Sequence, residues 1–247
     1  VLKDLPDKIE KNMAACMEQK QKELYHAHAQ RLALMLQNQT EEEFADSRFQ
    51  VLSELTRLRQ LCCDPALVYE NYEGGSAKLD LCIELIQSAV ESGHKILLFS
   101  QFTSMIEILT ARLQEESISY FVLQGSTKKE QRAQMVEQFN RDDTSVFCIS
   151  LKAGGTGLNL TGADIVIHYD PWWNVAVENQ ATDRAHRIGQ KNVVTVYKLI
   201  AKGTIEEKII KLQQMKKELA EEILSGDEIK TASFQREELL ELLEERF

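Results

Sequence analysis

Two arginines one helical turn apart carry the clearest chemical signal in the sequence. Arg184 and Arg187 lie in the stretch DPWWNVAVENQATDRAHRIGQ, residues 170–190, directly after a predicted strand. A guanidinium is always charged and its planar fork matches the oxygens of a phosphate. Two guanidinium groups on one rigid face therefore suit phosphoryl transfer, in which negative charge must be stabilised. The segment predicts a site for phosphate chemistry if one element presents both side chains together.

That element is predicted to be a helix that begins after Asn174, a favoured N-cap residue, and ends at Gly189, a residue favoured just past a helix. At about 3.6 residues per turn, Gln180 shares the stripe of Arg184 and Arg187, beside an apolar stripe that can pack on a sheet. The apolar stripe consists of Val177, Ala181, Ala185 and Ile188. The competing interpretation is a solvated face with a weak ion pair between residues four apart, and periodicity alone favours it.

A glycine-rich segment is the second candidate. SLKAGGTGLNLTGAD, residues 150–164, has four glycines between two predicted strands, so its backbone can approach a ligand closely and its amides can line a phosphate. The P-loop pattern GxxxxGK[ST] is absent from the chain, as is an acidic DExH or DEAD motif. Glycine-rich loops are common, so this segment alone is a weak signal.

The third candidate is Gly125, Ser126 and Thr127 at the end of another predicted strand. Thr127 and Glu130 match a capping box that starts a helix. The functional alternative is that hydroxyls and amides at a helix N-terminus bind a phosphate. Three basic residues follow closely: Lys128, Lys129 and Arg132. The two interpretations are evenly matched.

The elements that position these residues are marked by the uneven distribution of 11 glycines and 3 prolines. Neither residue type occurs between Pro6 and Pro65, so residues 1–73 are predicted to be mostly helical, with a capping box at Thr40. A second capping box at Thr204 predicts the start of a long amphipathic helix. The chain is thus expected to have helical flanks on either side of a central region with a different sequence pattern.

In that centre, short apolar runs alternate with helix-length amphipathic stretches. The runs are Ile96–Phe99, Tyr120–Leu123, Val146–Ile149, Ile165–Ile167 and Val193–Ile200, and the helical stretches include Met105–Leu113 and Lys128–Phe139. Buried strands that alternate with helices indicate βαβ units. The predicted fold class is α/β, a parallel sheet sandwiched by helices, with helical N-terminal and C-terminal flanks.

The composition excludes several classes of protein. No apolar run approaches the roughly 20 residues of a membrane span, and the N-terminal residues lack the order of a signal peptide, so an intracellular protein is expected. Five cysteines without a CxxC pair argue against a disulfide framework or a zinc knuckle. A net charge of −10 disfavours a nucleic-acid partner at first sight, but residues 1–75 carry −4 and residues 205–247 carry −5. The sheet-bearing centre is close to neutral.

Four segments follow one another in a fixed order: FSQFTSM (99–105), LQGSTKKEQR (123–132), LKAGGTGLNLTGAD (151–164) and the stretch at 170–190. Together they resemble motifs IV to VI of the Swi/Snf helicase-like ATPases of superfamily two. The flanks LTRLRQLCCDPALV (55–68) and VYKLIAKGTIEEKI (196–209) resemble the segments just before and after that family's second lobe. QATDRAHRIGQ is typical of this family rather than of helicases at large.

The resemblance implies a motor of two RecA-like lobes, of which this chain is the C-terminal, second lobe. ATP with Mg²⁺ is then held mainly by a first lobe, expected on a longer protein, and both lobes grip double-stranded DNA. By matching positions, Arg184 and Arg187 are implied to be arginine fingers. Gln180 is implied to face the nucleotide, with Gly155 and Gly157 as further candidate cofactor-binding residues.

The same resemblance implies that Ser126, Thr127, Lys152 and Gly154 line the DNA backbone, and that Trp173 is the tryptophan of a Trp-Asn-Pro element. Four positions depart from the usual family residues: Ala77, Gln124, Leu151 and Val175. Val175 stands where proline is usual, which leaves open the angle at which the helix starts.

The resulting expectation is the second motor lobe of an ATP-dependent double-stranded-DNA translocase or remodeller, inactive as an ATPase without the first lobe. Its domains are expected to be a helical segment at 1–73, a RecA-like lobe at 74–204 and bracing C-terminal helices at 205–247. The protein is expected to be monomeric, without a membrane partner, and located in a bacterial cytoplasm or nucleoid, or in a nucleus if eukaryotic. The alternatives are a lobe of an RNA-directed helicase and a non-catalytic RecA-like binding module.

Several residues with possible chemistry receive a structural interpretation instead. His186 lies off the arginine stripe and has no metal-ligand spacing to a cysteine or carboxylate, so it is expected to be structural and no metal site is predicted. Cys62 and Cys63 are expected in a core. At least one of Trp172 and Trp173 is expected to be a core residue.

Overall fold

A computed structural model of the chain describes residues 5–154, 157–222 and 236–243. The strands are β1 (Lys8–Ala15), β2 (Ile96–Ser100), β3 (Tyr120–Leu123), β4 (Val146–Ser150), β5 (Ile165–His168) and β6 (Val194–Ala201). They form one six-stranded sheet in the order β1-β6-β5-β2-β4-β3. The pairs β2–β4, β2–β5, β3–β4 and β5–β6 are all parallel. The predicted α/β class with a RecA-like parallel sheet is confirmed.

Eight helices accompany the sheet within the described ranges. They are α1 (Gln19–Gln37), α2 (Glu41–Cys63), α3 (Ala77–Glu91), α4 (Thr103–Glu115), α5 (Lys129–Arg141), α6 (Val175–Thr182), α7 (Ile205–Glu222) and α8 (Arg236–Leu243). Two short three-ten turns lie at Pro65–Leu67 and Leu151–Gly154. In the part of the chain that the structure describes, no helix has the length and apolar character needed to cross a membrane.

The chain forms two compact units. The sheet unit comprises Val1–Ala15 and Lys78–Ile200, and the helical unit comprises Cys16–Ala77 and Ala201–Phe247. From Cys16 onward, the predicted N-terminal flank belongs to the same unit as the predicted C-terminal flank. The prediction of a helical segment over residues 1–73 is wrong at β1, which joins the sheet. β1 has the polar sequence KIEKNMAA and is exposed over most of its length, because an edge strand needs only backbone pairing on one side.

The sheet unit has an aromatic core. Phe99, Phe139 and Phe147 are completely buried, and the rings of Phe139 and Phe147 lie 5.2 Å apart. β2, β4 and β5 are buried at every position because helices cover both faces of a parallel sheet. Each buried phenylalanine contributes about 1.5–3 kcal/mol, so this core fixes the strands rigidly. The carboxyl ends of the parallel strands consequently meet at one edge, where the candidate loops begin.

The helical unit packs α1 against α2 and α8. The capping box at Thr40 and Glu43 is present, with Glu43 N–H donating to the Thr40 hydroxyl and Thr40 N–H donating to the Glu43 carboxylate. Cys62 and Cys63 are completely buried, as expected for core residues. At the start of α7, Ile205 N–H donates to the Tyr25 hydroxyl at 2.7 Å.

Candidate functional site

An open cleft of about 720 Å³ in the sheet unit brings together most of the residues proposed for nucleotide chemistry. Its lining includes Gln180, Arg184, Arg187 and Gly157. The other lining residues are Leu5, Leu158, Asn159, Asp183, His186 and Ile188. Gly155, the remaining predicted cofactor-binding residue, lies outside the described residues. The cleft is therefore a candidate site for an anionic ligand.

The element that presents the arginines differs from the predicted helix. Asn174 is the N-cap and its side chain accepts from Ala176 N–H, as predicted, but α6 ends at Thr182. Residues 183–189 form successive turns, and Gly189 lies in one of them with φ of +104° instead of following a helix. Ile188, predicted to pack on the sheet, is 84% exposed. The two arginines and Gln180 therefore lie together as predicted, but turns after α6, and not one continuous helix, bring them together.

Gln190 holds these turns in place, a role that the sequence interpretation missed. Its side-chain amide donates to the carbonyl oxygens of Ala163 and Ala185, at 2.8 and 3.1 Å. Its side-chain oxygen accepts from the backbone amides of Lys191 and Asn192. Gln190 is 6% exposed, so four hydrogen bonds satisfy a buried amide. Its position at the end of the family-typical RIGQ string was the signal available in the sequence.

Arg184 forms the inner wall of the cleft. It is 7% exposed, and its guanidinium carbon lies 5.6 Å from the ring centroid of Phe99. Burial lowers the pKa of Arg184 to about 10, so the side chain keeps its charge at neutral pH. Its carbonyl oxygen accepts from Leu160 N–H at 3.0 Å. This bond joins the turns at residues 183–189, called the arginine turn below, to the glycine-rich segment. A partly desolvated cation interacts more strongly with an anionic ligand than a solvated one does.

Arg187 lies at the outer part of the same cleft. The residue is exposed, and its Nη1 donates to the Leu158 carbonyl oxygen at 3.4 Å. Gln180 is also exposed and adds an amide donor. The three side chains offer two full positive charges and a neutral donor around one space, whose lining contains one carboxylate, that of Asp183. This set of donors fits a polyphosphate.

A buried ion pair supports the strand-to-helix connection that leads into this site. Glu178 on α6 is 1% exposed and lies 2.8 Å from Nζ of Lys198, and it accepts the Trp172 N–H at 3.0 Å. Burial raises the pKa of Glu178, but the charge of Lys198 together with these hydrogen bonds holds that pKa below its ordinary value. The carboxylate is therefore ionised at neutral pH and fixes the Trp-Trp-Asn segment relative to the sheet.

Two loops carry the residues proposed to contact DNA. Ser126 is exposed and Thr127 half-buried in the turn after β3. The predicted capping box at Thr127 is wrong, because α5 begins one residue later and the Thr127 hydroxyl instead accepts from Gln124 N–H at 3.1 Å. Lys152 and Gly154 belong to the three-ten turn after β4. Both loops leave the carboxyl ends of neighbouring parallel strands.

The two tryptophans differ in their packing. Trp172 packs against the aromatic core of the sheet unit, which agrees with the expectation that at least one tryptophan is a core residue. Trp172 and Trp173 are both half-buried, so each keeps some surface that a ligand can reach.

Comparison with known proteins identifies the family. The model described as "Helicase conserved C-terminal domain" matches residues 77–189. The solved SWI2/SNF2 ATPase C-terminal domain of Sulfolobus solfataricus is 33% identical, with a TM-score of 0.77, over 98% of this chain and 100% of that one. This chain belongs to the SWI2/SNF2 ATPase C-terminal domains. The resemblance found in the sequence is confirmed.

Two further relatives of this SWI2/SNF2 domain extend the comparison. An uncharacterized ATP-dependent helicase of Mycoplasma pneumoniae is 42% identical over 99% of this chain, which spans 23% of that protein. The SWI2/SNF2 ATPase core of S. solfataricus, solved in complex with double-stranded DNA, is 34% identical with a TM-score of 0.75, over 91% of this chain and 47% of that one.

His186 has a structural role in the SWI2/SNF2 domain. Its Nε2–H donates to the Pro6 carbonyl oxygen at 2.7 Å, which links the arginine turn to the segment before β1. Among the residues that the structure describes, no group of three or more histidine, cysteine or acidic side chains is arranged to hold a metal ion.

Proposed function

We propose that this chain is the second motor lobe of an ATP-dependent double-stranded-DNA translocase or remodeller. The observation that carries the proposal is the convergence of Arg184, Arg187 and Gln180 on one cleft. Membership of the SWI2/SNF2 family and an ATP-dependent helicase as a relative support ATP as the nucleotide. The sheet unit is the proposed lobe, and residues 205–247 keep the proposed role of C-terminal bracing helices.

Arg184 and Arg187 act as arginine fingers in this proposal. Bound ATP with Mg²⁺ supplies the phosphoanhydride that is hydrolysed, and the first lobe of the same protein holds most of it. Arg184, kept charged and rigid against Phe99, stabilises negative charge that develops on the phosphate. Arg187 and Gln180 orient the phosphate from the outer cleft, and the backbone at Gly157 approaches it closely. Gly155 remains a further proposed cofactor-binding residue. The lobe alone is then inactive as an ATPase.

DNA binding is assigned to the two loops at the carboxyl ends of β3 and β4. Ser126, Thr127 and Gly154 are proposed to donate to the DNA backbone, Lys152 to neutralise a phosphate, and Trp173 to contact DNA beside them. The complex of a 34% identical relative with double-stranded DNA supports this assignment. These contacts are sparse and largely uncharged, which is compatible with the near-neutral centre of the sequence.

The test of the fingers is DNA-stimulated ATP hydrolysis by the full-length protein. Arg184→Ala and Arg187→Ala are each expected to lower the rate by roughly 10³–10⁵-fold, the range associated with loss of an arginine finger. The matched control is Arg141→Ala, which removes the same charge from an exposed arginine paired with Glu137 on α5. Activity at the control level in both cleft variants would indicate a non-catalytic binding module instead.

The nucleic-acid preference is tested separately with the unmodified protein. Its hydrolysis rate is compared with saturating duplex DNA, single-stranded DNA and RNA at one salt concentration, since binding depends strongly on salt. The proposal expects the largest stimulation by duplex DNA. The largest stimulation by RNA would favour an RNA-directed helicase and overturn the DNA assignment.

A further inference from the structure

Arg132, on the first turn of α5, donates hydrogen bonds only to main-chain oxygens among the described residues. Nε donates to the Thr127 carbonyl at 2.9 Å, and Nη2 to the Gln124 and Gly125 carbonyls at 3.4 and 3.2 Å. Nη1 donates to the Ala153 carbonyl at 3.1 Å. One half-buried guanidinium thus contacts two separate loops through all three of its nitrogens.

The first of these loops is already closed on itself. Thr127 N–H donates to the Gln124 carbonyl at 3.0 Å, and Gln124 N–H donates to the Thr127 hydroxyl at 3.1 Å. These bonds shape the turn but do not connect it to the loop after β4. The bond from Arg132 to Ala153 makes that connection, because Ala153 lies within the three-ten turn Leu151–Gly154.

We propose that Arg132 is a positioning residue that holds the two DNA-contacting loops in one fixed arrangement. This inference rests on the proposed function, because Ser126 and Thr127 lie in the first loop and Lys152 and Gly154 in the second. Fixing both loops before DNA arrives lowers the ordering cost of binding, so contacts from the two loops form together.

Only arginine suits this position. Its planar fork has five N–H donors in a fixed geometry, whereas the lysine ammonium is a point charge on a flexible stem. The ammonium cannot satisfy four carbonyls in two loops at once. The guanidinium is also turned toward carbonyl oxygens of the protein, which distinguishes it from an arginine presented to a DNA phosphate.

The experiment measures duplex-DNA affinity and amide hydrogen exchange in the full-length protein. Arg132→Ala and Arg132→Lys are each expected to weaken DNA binding by about tenfold or more, the equivalent of one hydrogen bond to a charged group. Exchange is expected to accelerate in both loops, at 124–127 and at 151–154. Arg141→Ala, on the same helix and exposed, is the matched control and is expected to change neither quantity.

Three results would overturn the inference. The first is a DNA affinity of Arg132→Ala equal to that of the control. The second is a normal DNA affinity of Arg132→Lys, which would indicate a charge contact to phosphate. The third is faster amide exchange in one loop alone. If Arg132→Ala does not fold, Arg132→Lys carries the exchange test. Ser126→Ala and Lys152→Ala in the same assay test the proposed DNA contacts separately from the role of Arg132. Normal DNA affinity in both variants would refute those contacts. The exchange data would still decide whether Arg132 holds the two loops.

Discussion

His168 makes the stability of the sheet unit depend on pH. It is completely buried at the end of β5, stacks on Phe99 with ring centroids 5.5 Å apart, and its Nε2 lies 3.0 Å from the Thr182 hydroxyl. Burial lowers the pKa of His168 to about 4, with Lys198 and Arg184 acting in the same direction and Glu178 opposing them. The folded protein therefore keeps this histidine neutral where an unfolded chain protonates it.

The sign and size of the effect follow from that difference. An unfolded histidine titrates near 6.5, so between pH 6.5 and 4 the unfolded chain binds a proton that the folded chain does not. Stability from His168 is present above pH 6.5 and is lost as the pH falls toward 4. Integrating the proton difference, the step from pH 7 to pH 5 costs about 2 kcal/mol of unfolding free energy.

The measurement is urea unfolding followed by tryptophan fluorescence at pH 7 and pH 5. Both tryptophans, Trp172 and Trp173, lie in the sheet unit, so the signal reports on the unit that contains His168. His168→Gln removes the titrating group, and the variant is expected to lose about 2 kcal/mol less than the unmodified chain over this pH step. Other titrating groups cancel in the comparison. Equal losses in both proteins would refute the assignment of the pH dependence to His168.

Two further predictions concern local structure. Thr40→Ala removes the hydroxyl of the capping box of α2 and should cost about 1 kcal/mol of stability, measured by thermal unfolding. The control is Thr110→Ala, which removes a hydroxyl that donates to the Glu107 carbonyl in an exposed hydrogen bond within α4 and caps no helix. Gly189→Ala places a side chain at φ of +104° and should cost about 1–3 kcal/mol, although the added Cβ would have only one neighbour, at 4.0 Å. Gly125→Ala, at a position with open space and without a positive φ, is the control and is expected to cost less stability. Equal losses of stability in the two glycine variants would contradict the explanation from backbone conformation.

The central strands could be predicted from the sequence because each is an apolar run with few alternatives. The runs at 96–99 and 146–149 became β2 and β4, each extended by one serine. Burial on both faces leaves no polar alternation to interpret, so the only decision is between strand and buried helix, and run length decides it. β1 could not be predicted in this way, because its pairing with β6 involves backbone groups and leaves polar side chains in solvent.

The arginine cleft shows why local periodicity was insufficient at the site. Residues 183–189 continue a helical pattern of polar and apolar residues, yet α6 ends at Thr182 because tertiary hydrogen bonds replace the helical ones. Leu160 N–H donates to the Arg184 carbonyl oxygen, and the Gln190 side-chain amide donates to the Ala185 carbonyl oxygen. Both bonds join the arginine turn to segments around 160 and 190 and are invisible to a helical wheel. Since those partners, not a helix, set the distance between Arg184 and Arg187, the geometry of the proposed fingers depends on Leu160 and Gln190, which do not line the cleft.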